Sequence, residues 1–100
     1  MDEEALVAQA RKGDINAYNR LVLEYQQLVY NVAYRILGNG ERAQDATQDA
    51  FLRGFRALPQ FRGGSFKAWI LRIATNCCYD QLRLRQRRRG VDRREMLWLQ

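Results

Sequence analysis

Arginine is concentrated near the end of this 100-residue chain. Residues 83–94 contain seven arginines and one acidic residue, Asp92, whereas residues 1–82 hold ten basic and nine acidic residues. The planar guanidinium of arginine binds phosphate through paired hydrogen bonds. A local cluster of this kind predicts a phosphate-bearing polyanion as a partner. A disordered, solubilising tail is the alternative, because blocks of like charge are commonly disordered.

A polar face leads into this tract. Five side chains recur at spacings of three and four, which place them on one side of a helix: Arg72, Asn76, Tyr79, Asp80 and Arg83. Arginine and asparagine are typical contacts to DNA phosphates and base edges. Asp80 is the exception because it would repel phosphate. It could act as a cap, pair with Arg83 or Arg87, or accept a hydrogen bond from a base amino group.

A short loop offers a second set of ligand-binding residues, Phe61-Arg62-Gly63-Gly64-Ser65. The two glycines would let the backbone approach a ligand closely, and Arg62 supplies a cation. With Phe61 and Phe66 as flanking aromatic rings, the loop suits an extruded base and its phosphate. The alternative is that both rings anchor the loop in the core, and for Phe66 that interpretation is favoured.

The polar side of the third predicted helix, at about residues 41–58, carries an unexpected leucine. Its residues are Asp45, Gln48, Asp49, Leu52, Arg53 and Arg56. A solvated surface would explain the charges. However, a leucine ringed by side chains that form directional hydrogen bonds favours a protein interface.

The composition argues against an enzyme, a metal site or a cofactor. The chain has no histidine, which removes the commonest general base and the triads that need one. Its two cysteines, Cys77 and Cys78, are adjacent, so in a helix they point about 100° apart and would not bridge easily. No apolar run approaches the roughly 18 residues of a membrane span. The acidic N-terminus is unlike a signal peptide, so we expect a cytoplasmic protein.

Apolar periodicity predicts an all-α fold with four helices, at about residues 2–12, 15–37, 41–58 and 66–86. Gly13, the turn at 38–40 and a loop at 59–64 separate them, with Asp14 and Ser65 as N-caps. We expect a compact bundle of three long helices plus a short N-terminal one. One core should contain Tyr25, Val29, Phe51, Phe55, Trp69 and Ile73.

The run from Asp45 to Asn76 reads DATQDAFLRGFRALPQFRGGSFKAWILRIATN. It resembles region 2 of the extracytoplasmic-function sigma factors, the smallest sigma subunits of bacterial RNA polymerase. Their pattern D-x-x-Q-[DE]-x-F-[LI]-[RK]-x-[FY]-R-A-L is followed by F-R-G and by W-[LI]-x-R-I-A-x-N. The resemblance extends over roughly residues 3–89.

The resemblance implies a role for each polar surface. The third helix would dock on the clamp helices of the polymerase's largest subunit through Asp45, Gln48, Asp49, Leu52, Arg53 and Arg56. The loop would help to capture a flipped base of the non-template strand in the minus-ten promoter element. The residues implied in DNA binding are Phe61, Arg62, Gly63, Gly64, Ser65, Lys67, Arg72, Asn76, Tyr79, Asp80, Arg83 and Arg87.

The resemblance also implies a domain plan. Residues 1–89 would form the region 2 domain, and residues 90–100 would begin a linker toward a region 4 domain that the sequence does not contain. The loop at 61–66 is one residue shorter than the usual form, which bears on the shape of the base pocket. An alternative function is a protein-interaction module bound mainly by an anti-sigma factor, without DNA binding of its own. A membrane-surface module is disfavoured because the arginine tract lacks an interleaved apolar face.

Overall fold

The computed structural model describes the backbone of residues 2–99 and the side chains of residues 2–86. Within that range the chain is helical and contains no strand, which confirms the predicted all-α fold. Its helices are α1 (Glu3–Arg11), α2 (Ile15–Leu37), α3 (Gly40–Ala57) and α4 (Phe66–Leu99), with a short 3-10 helix at Leu58–Gln60. The side chain of Arg87, which was predicted to bind DNA, lies outside the described residues.

Side-chain caps fix where the helices begin. Asp2, Asp14, Asn39 and Ser65 each accept a hydrogen bond from a backbone N–H of the first turn that follows, at 3.0–3.3 Å. Each cap satisfies a donor that has no partner within its own helix. Gly38 ends α2 in the left-handed conformation, with φ of 67°. The predicted caps at Asp14 and Ser65 are therefore confirmed.

Two predicted boundaries differ from the structure. The predicted loop at 59–64 begins with the 3-10 helix, in which Pro59 occupies the first turn. Its fixed φ suits a helix start, and its missing N–H costs nothing there. The fourth helix does not end near Gln86, since the α4 backbone continues to Leu99.

The core lies where α2 packs against α1, α3 and α4, and where α3 packs against α4. Val29 and Phe51 are buried as predicted, and Tyr25, Trp69 and Ile73 are partly buried against the same cluster. The prediction for Phe55 was wrong, because this side chain is 36% exposed. One side of its ring packs on Tyr18 (centroids 5.1 Å apart), and the rest lines a surface groove.

At Gly54, α3 lies in close contact with side chains of α2 and α4. A Cβ atom there would be 2.8 Å from both the Ile70 Cδ1 and the Tyr18 Oη. Ile70 is fully buried, and the Tyr18 hydroxyl donates a hydrogen bond to the Phe51 carbonyl oxygen at 2.5 Å. Neither atom can move freely, so the packing requires glycine. Burial also raises the pKa of the Tyr18 phenol, which keeps this donor protonated.

We predict that Gly54→Ala destabilises the domain by about 1–3 kcal/mol, the usual cost of overpacking. Alanine is favoured over glycine by about 1 kcal/mol within a helix, so the effect runs against intrinsic propensity. Ile70→Val removes the Cδ1 methyl that the new Cβ would meet. The double variant should therefore lose less free energy of unfolding in urea than the two single losses combined. A Gly54→Ala domain as stable as the parent would contradict this packing account.

Candidate nucleic-acid interface

The loop between the 3-10 helix and α4 presents bare backbone to solvent. Arg62, Gly63, Gly64 and Ser65 are all exposed. Gly63 and Gly64 have φ values of 93° and 85°, and a Cβ at either position would meet open space. Glycine is thus required here by the left-handed backbone and not by crowding. The result is a stretch of main chain that a ligand can approach closely.

The two phenylalanines flanking this loop point inward. Phe61 is 5% exposed and Phe66 is fully buried. Phe61 packs on Trp69 with centroids 5.0 Å apart, and Phe66 packs on Trp69 at 5.7 Å. Both rings are therefore anchored in the core, as the alternative interpretation has it, and Phe61 also lines a groove beside the loop. Burying two large aromatic surfaces stabilises the loop more than exposing them would.

Most of the polar side chains predicted to share one face of α4 are exposed there. Lys67, Arg72, Asn76 and Tyr79 are exposed on the helix that begins directly after the loop. Because helical neighbours three and four residues apart share a face, Arg72, Asn76 and Tyr79 form one continuous surface. Lys67 adjoins the exposed backbone of the loop, and the Arg72, Asn76 and Tyr79 surface extends away from it along α4.

An ion-pair chain connects α3 to α4. The Arg53 guanidinium bonds the Asp49 carboxylate at 3.1 Å and the Asp80 carboxylate at 2.9 Å. Arg83 bonds the other oxygen of Asp80. Hydrogen bonds from Arg53 and Arg83 hold the pKa of Asp80 below its ordinary value, and the bond to Asp80 raises the pKa of Arg53. Of the roles left open for Asp80, the structure shows pairing with arginine.

Arg53 was not among the partners predicted for Asp80. It lies 27 residues earlier in the sequence, so helical spacing carries no signal of the contact. All these groups are substantially exposed, and such pairs contribute about 0–1 kcal/mol. The network therefore orients side chains more than it stabilises the fold. It also joins residues predicted for polymerase binding to residues predicted for DNA binding.

The two cysteines are buried free thiols, and Cys77 lies near Asp49, Arg53 and Asp80 of this network. Burial is the main cause that raises the pKa of Cys77 to about 12, so the thiol stays protonated and unreactive. Among the described residues, no group of three or more histidine, cysteine or acidic side chains could hold a metal ion. None of the helices in that part of the chain is long and apolar enough to cross a membrane.

The outer side of α3 borders an apolar groove of about 440 Å³ between α2 and α3. Leu52 is 57% exposed at its edge, as its predicted role in a protein interface requires. Asp45, Gln48 and Arg56 are exposed, and Asp49 is half-buried. Sequence reasoning missed the groove itself. The remaining apolar side chains that line it are Ile15, Tyr18, Val22, Phe51 and Phe55.

A second groove, of about 200 Å³, separates α1 from the loop. Its lining residues are Glu3, Glu4, Val7, Ala8, Arg11, Phe61, Gly63 and Gly64. The Arg11 guanidinium donates to the Pro59 carbonyl oxygen at 3.4 Å, which ties α1 to the loop region. The Tyr25 hydroxyl donates to the Glu3 carboxylate, and this bond is the main cause that raises the pKa of Tyr25 to about 12. No residue of α1 was among the predicted site residues.

The sequence of this chain matches a known protein family. Residues 21–88 match the family Sigma-70 region 2. The chain belongs to this sigma-factor family. Sigma factors are transcription factors and not enzymes, so the predicted absence of catalysis follows from the family.

Curated relatives place this sigma domain among the extracytoplasmic-function group. It is 39% identical over 87 residues to the RNA polymerase sigma-H factor of Pseudomonas aeruginosa, covering 86% of the chain and 45% of the relative. It is 38% identical over 89 residues to the ECF RNA polymerase sigma-E factor of Escherichia coli K12, covering 88% and 46%. The chain thus spans less than half the length of these relatives.

Two solved structures share the fold of this sigma domain. An engineered region 2 of sigmaE, solved in complex with GTAAAA, superposes with a TM-score of 0.80 at 36% identity, covering 89% of this chain and 93% of that one. CnrH, solved in complex with the cytosolic domain of CnrY, superposes with a TM-score of 0.73 at 28% identity, covering 86% and 60%. The family resemblance found in the sequence is confirmed.

Proposed function

We propose that this domain binds the minus-ten promoter element as single-stranded DNA while docked on core RNA polymerase in the bacterial cytoplasm. One observation carries the DNA part of the proposal. The bare loop backbone continues directly into the exposed α4 face, in a domain that superposes at a TM-score of 0.80 on a region 2 solved with GTAAAA. That sequence contains thymine, so the ligand in the relative is DNA.

The α4 surface supports two kinds of DNA contact. Lys67 and Arg72 are exposed cations that suit phosphates. The Asn76 amide lies one turn beyond Arg72, and its paired donor and acceptor suit a base edge, adenine above all. Arg83 continues the same side, although its bond to Asp80 neutralises part of its charge. Affinity and sequence selection would thus come from neighbouring side chains.

The domain boundary at residue 89 stays a prediction. The α4 backbone continues without interruption past that position to Leu99. We propose that residues 1–89 suffice for the surfaces described above, and that Arg87 adds a phosphate contact. The linker predicted to begin at residues 90–100 is compatible with a helical backbone there.

We predict that Arg72→Ala and Asn76→Ala separate affinity from specificity. Losing one phosphate contact should weaken all sequences alike and lower the salt slope of log K by about 0.7, the value for single strands. Losing a base contact should instead reduce the difference in binding free energy between the preferred base and the other bases at one position of the DNA. One good base contact contributes about 1–3 kcal/mol to that difference. Fluorescence anisotropy with single-stranded hexamers at several salt concentrations measures both effects. Equal weakening of every sequence by Asn76→Ala would contradict its base-reading role.

We further propose that the α2–α3 groove and the outer side of α3 bind the clamp helices of the polymerase's largest subunit. An apolar centre with a polar rim is the usual anatomy of a protein interface. Leu52 and Phe55 supply exposed apolar surface, Gln48 lines the groove, and Asp45 and Arg56 are exposed on the same helix. An amphipathic helix lying in such a groove is a recurring mode of recognition.

The groove also supports a second protein partner. CnrH, a structural relative of this domain, was solved in complex with the cytosolic domain of CnrY. We propose that an anti-sigma factor binds this domain and covers the same apolar surface. Because one groove cannot hold two partners, that factor would compete with polymerase. If it were the only partner, the domain would be an interaction module without DNA binding of its own, and the hexamer experiment separates the two cases.

We predict that Leu52→Ala weakens binding to core polymerase by about 1–2 kcal/mol, as expected when a buried leucine side chain is truncated. Leu23→Ala is the matched control, because Leu23 is a 68% exposed helical leucine that does not line the groove. Both variants should have a free energy of unfolding within about 0.5 kcal/mol of the parent's. Surface plasmon resonance on immobilised core polymerase compares them. Identical affinities for the two variants would exclude the groove as the docking site.

A further inference from the structure

The groove between α1 and the loop is a second feature beside the proposed DNA surface. Phe61 and Val7 are buried at its base, whereas Gly63 and Gly64 form one rim with bare backbone. The opposite wall is one side of α1, from Glu3 to Arg11. The loop proposed to capture a base therefore faces α1 across a volume of about 200 Å³.

The polar groups on the α1 wall differ in their freedom to bind a ligand. The Glu3 carboxylate accepts the hydrogen bond from Tyr25 and is half-buried. Glu4 is exposed on the same turn and lines the groove. Arg11 also lines the groove while its guanidinium donates to the Pro59 carbonyl oxygen. The groove thus combines an accessible acceptor, a cation and an apolar floor.

These groups match the chemistry of a flipped nucleotide. A base extruded from a strand is held against apolar surface and recognised through hydrogen bonds to its Watson–Crick edge. A carboxylate can only accept hydrogen bonds, so it favours bases with an exocyclic amino group. Thymine has no such group, and its single ring N–H is flanked by two carbonyl oxygens that would repel the carboxylate. Arg11 is suited to the phosphate of the same nucleotide.

We propose that α1 forms the second wall of the base pocket, where the Glu4 carboxylate selects an amino-bearing base over thymine and Arg11 contacts its phosphate. This proposal rests on the proposed single-stranded DNA binding and extends it to a helix outside the α4 face. In this pocket Phe61 contributes to the apolar floor, whereas Phe66 is committed to the core.

The test compares Glu4→Gln with Glu41→Gln. Both positions are exposed acids in the first turn of a helix, so charge and helix-dipole effects are matched, and Glu41 lines neither groove. The probes are single-stranded GTAAAA and its variants with each position replaced in turn by the other three bases. Dissociation constants of the 100-residue chain are measured by fluorescence anisotropy.

We expect the parent chain to disfavour thymine at one position by about tenfold, the scale of one good base contact. Glu4→Gln should abolish that preference, because its amide can also donate to the thymine carbonyl, and it should leave the other positions unchanged. Glu41→Gln should retain the preference. Two results overturn the proposal: base preferences of Glu4→Gln identical to the parent, or changes shared equally with Glu41→Gln.

The failure of this proposal can be told apart from failure of the proposed function. If the parent binds with sequence preference and Asn76→Ala flattens it while Glu4→Gln does not, only the role of α1 is lost. If the parent chain shows no preference among the hexamers, the result contradicts both the proposed base recognition by this domain and the proposed α1 pocket.

Discussion

The close approach of three helices at Gly54 is the constraint on which the rest of this structure depends. Absence of a side chain there lets α3 lie against Ile70 of α4, while the Tyr18 hydroxyl bonds the Phe51 carbonyl oxygen from α2. This packing sets α4 beside α3 closely enough for Arg53 to reach Asp80. It thereby fixes where the polar side of α4, and the loop that precedes it, meet solvent.

Local features were predictable from the sequence, and contacts between distant segments were not. Caps such as Asp14 and Ser65 act within one turn of their own helix, so the boundaries they set could be predicted. Phe55 was misplaced because helical periodicity identifies a buried stripe but not which of its members lies at the rim. The Arg53–Asp80 bond and the groove lined by α1 depend on how helices pack, which no short-range spacing encodes.

The domain separates a surface suited to proteins from one suited to DNA. The apolar α2–α3 groove and the groove between α1 and the loop share no lining residue. The proposed partners, polymerase and single-stranded DNA, could therefore bind at once. Arg53 is the link between them, because it projects from α3, the helix proposed to dock on polymerase, and bonds Asp80 of α4, the helix proposed to bind DNA.

The central claim is that single-stranded DNA binds along the loop, the face of α4 and the facing wall of α1. Amide chemical shifts of the ¹⁵N-labelled chain, recorded during titration with single-stranded GTAAAA, test it most directly. The account predicts saturable changes at Glu4, at Arg62–Ser65 and at Asn76, with Ile15 and Leu52 unaffected. Changes confined to the α2–α3 groove, or no saturable change at all, would contradict it.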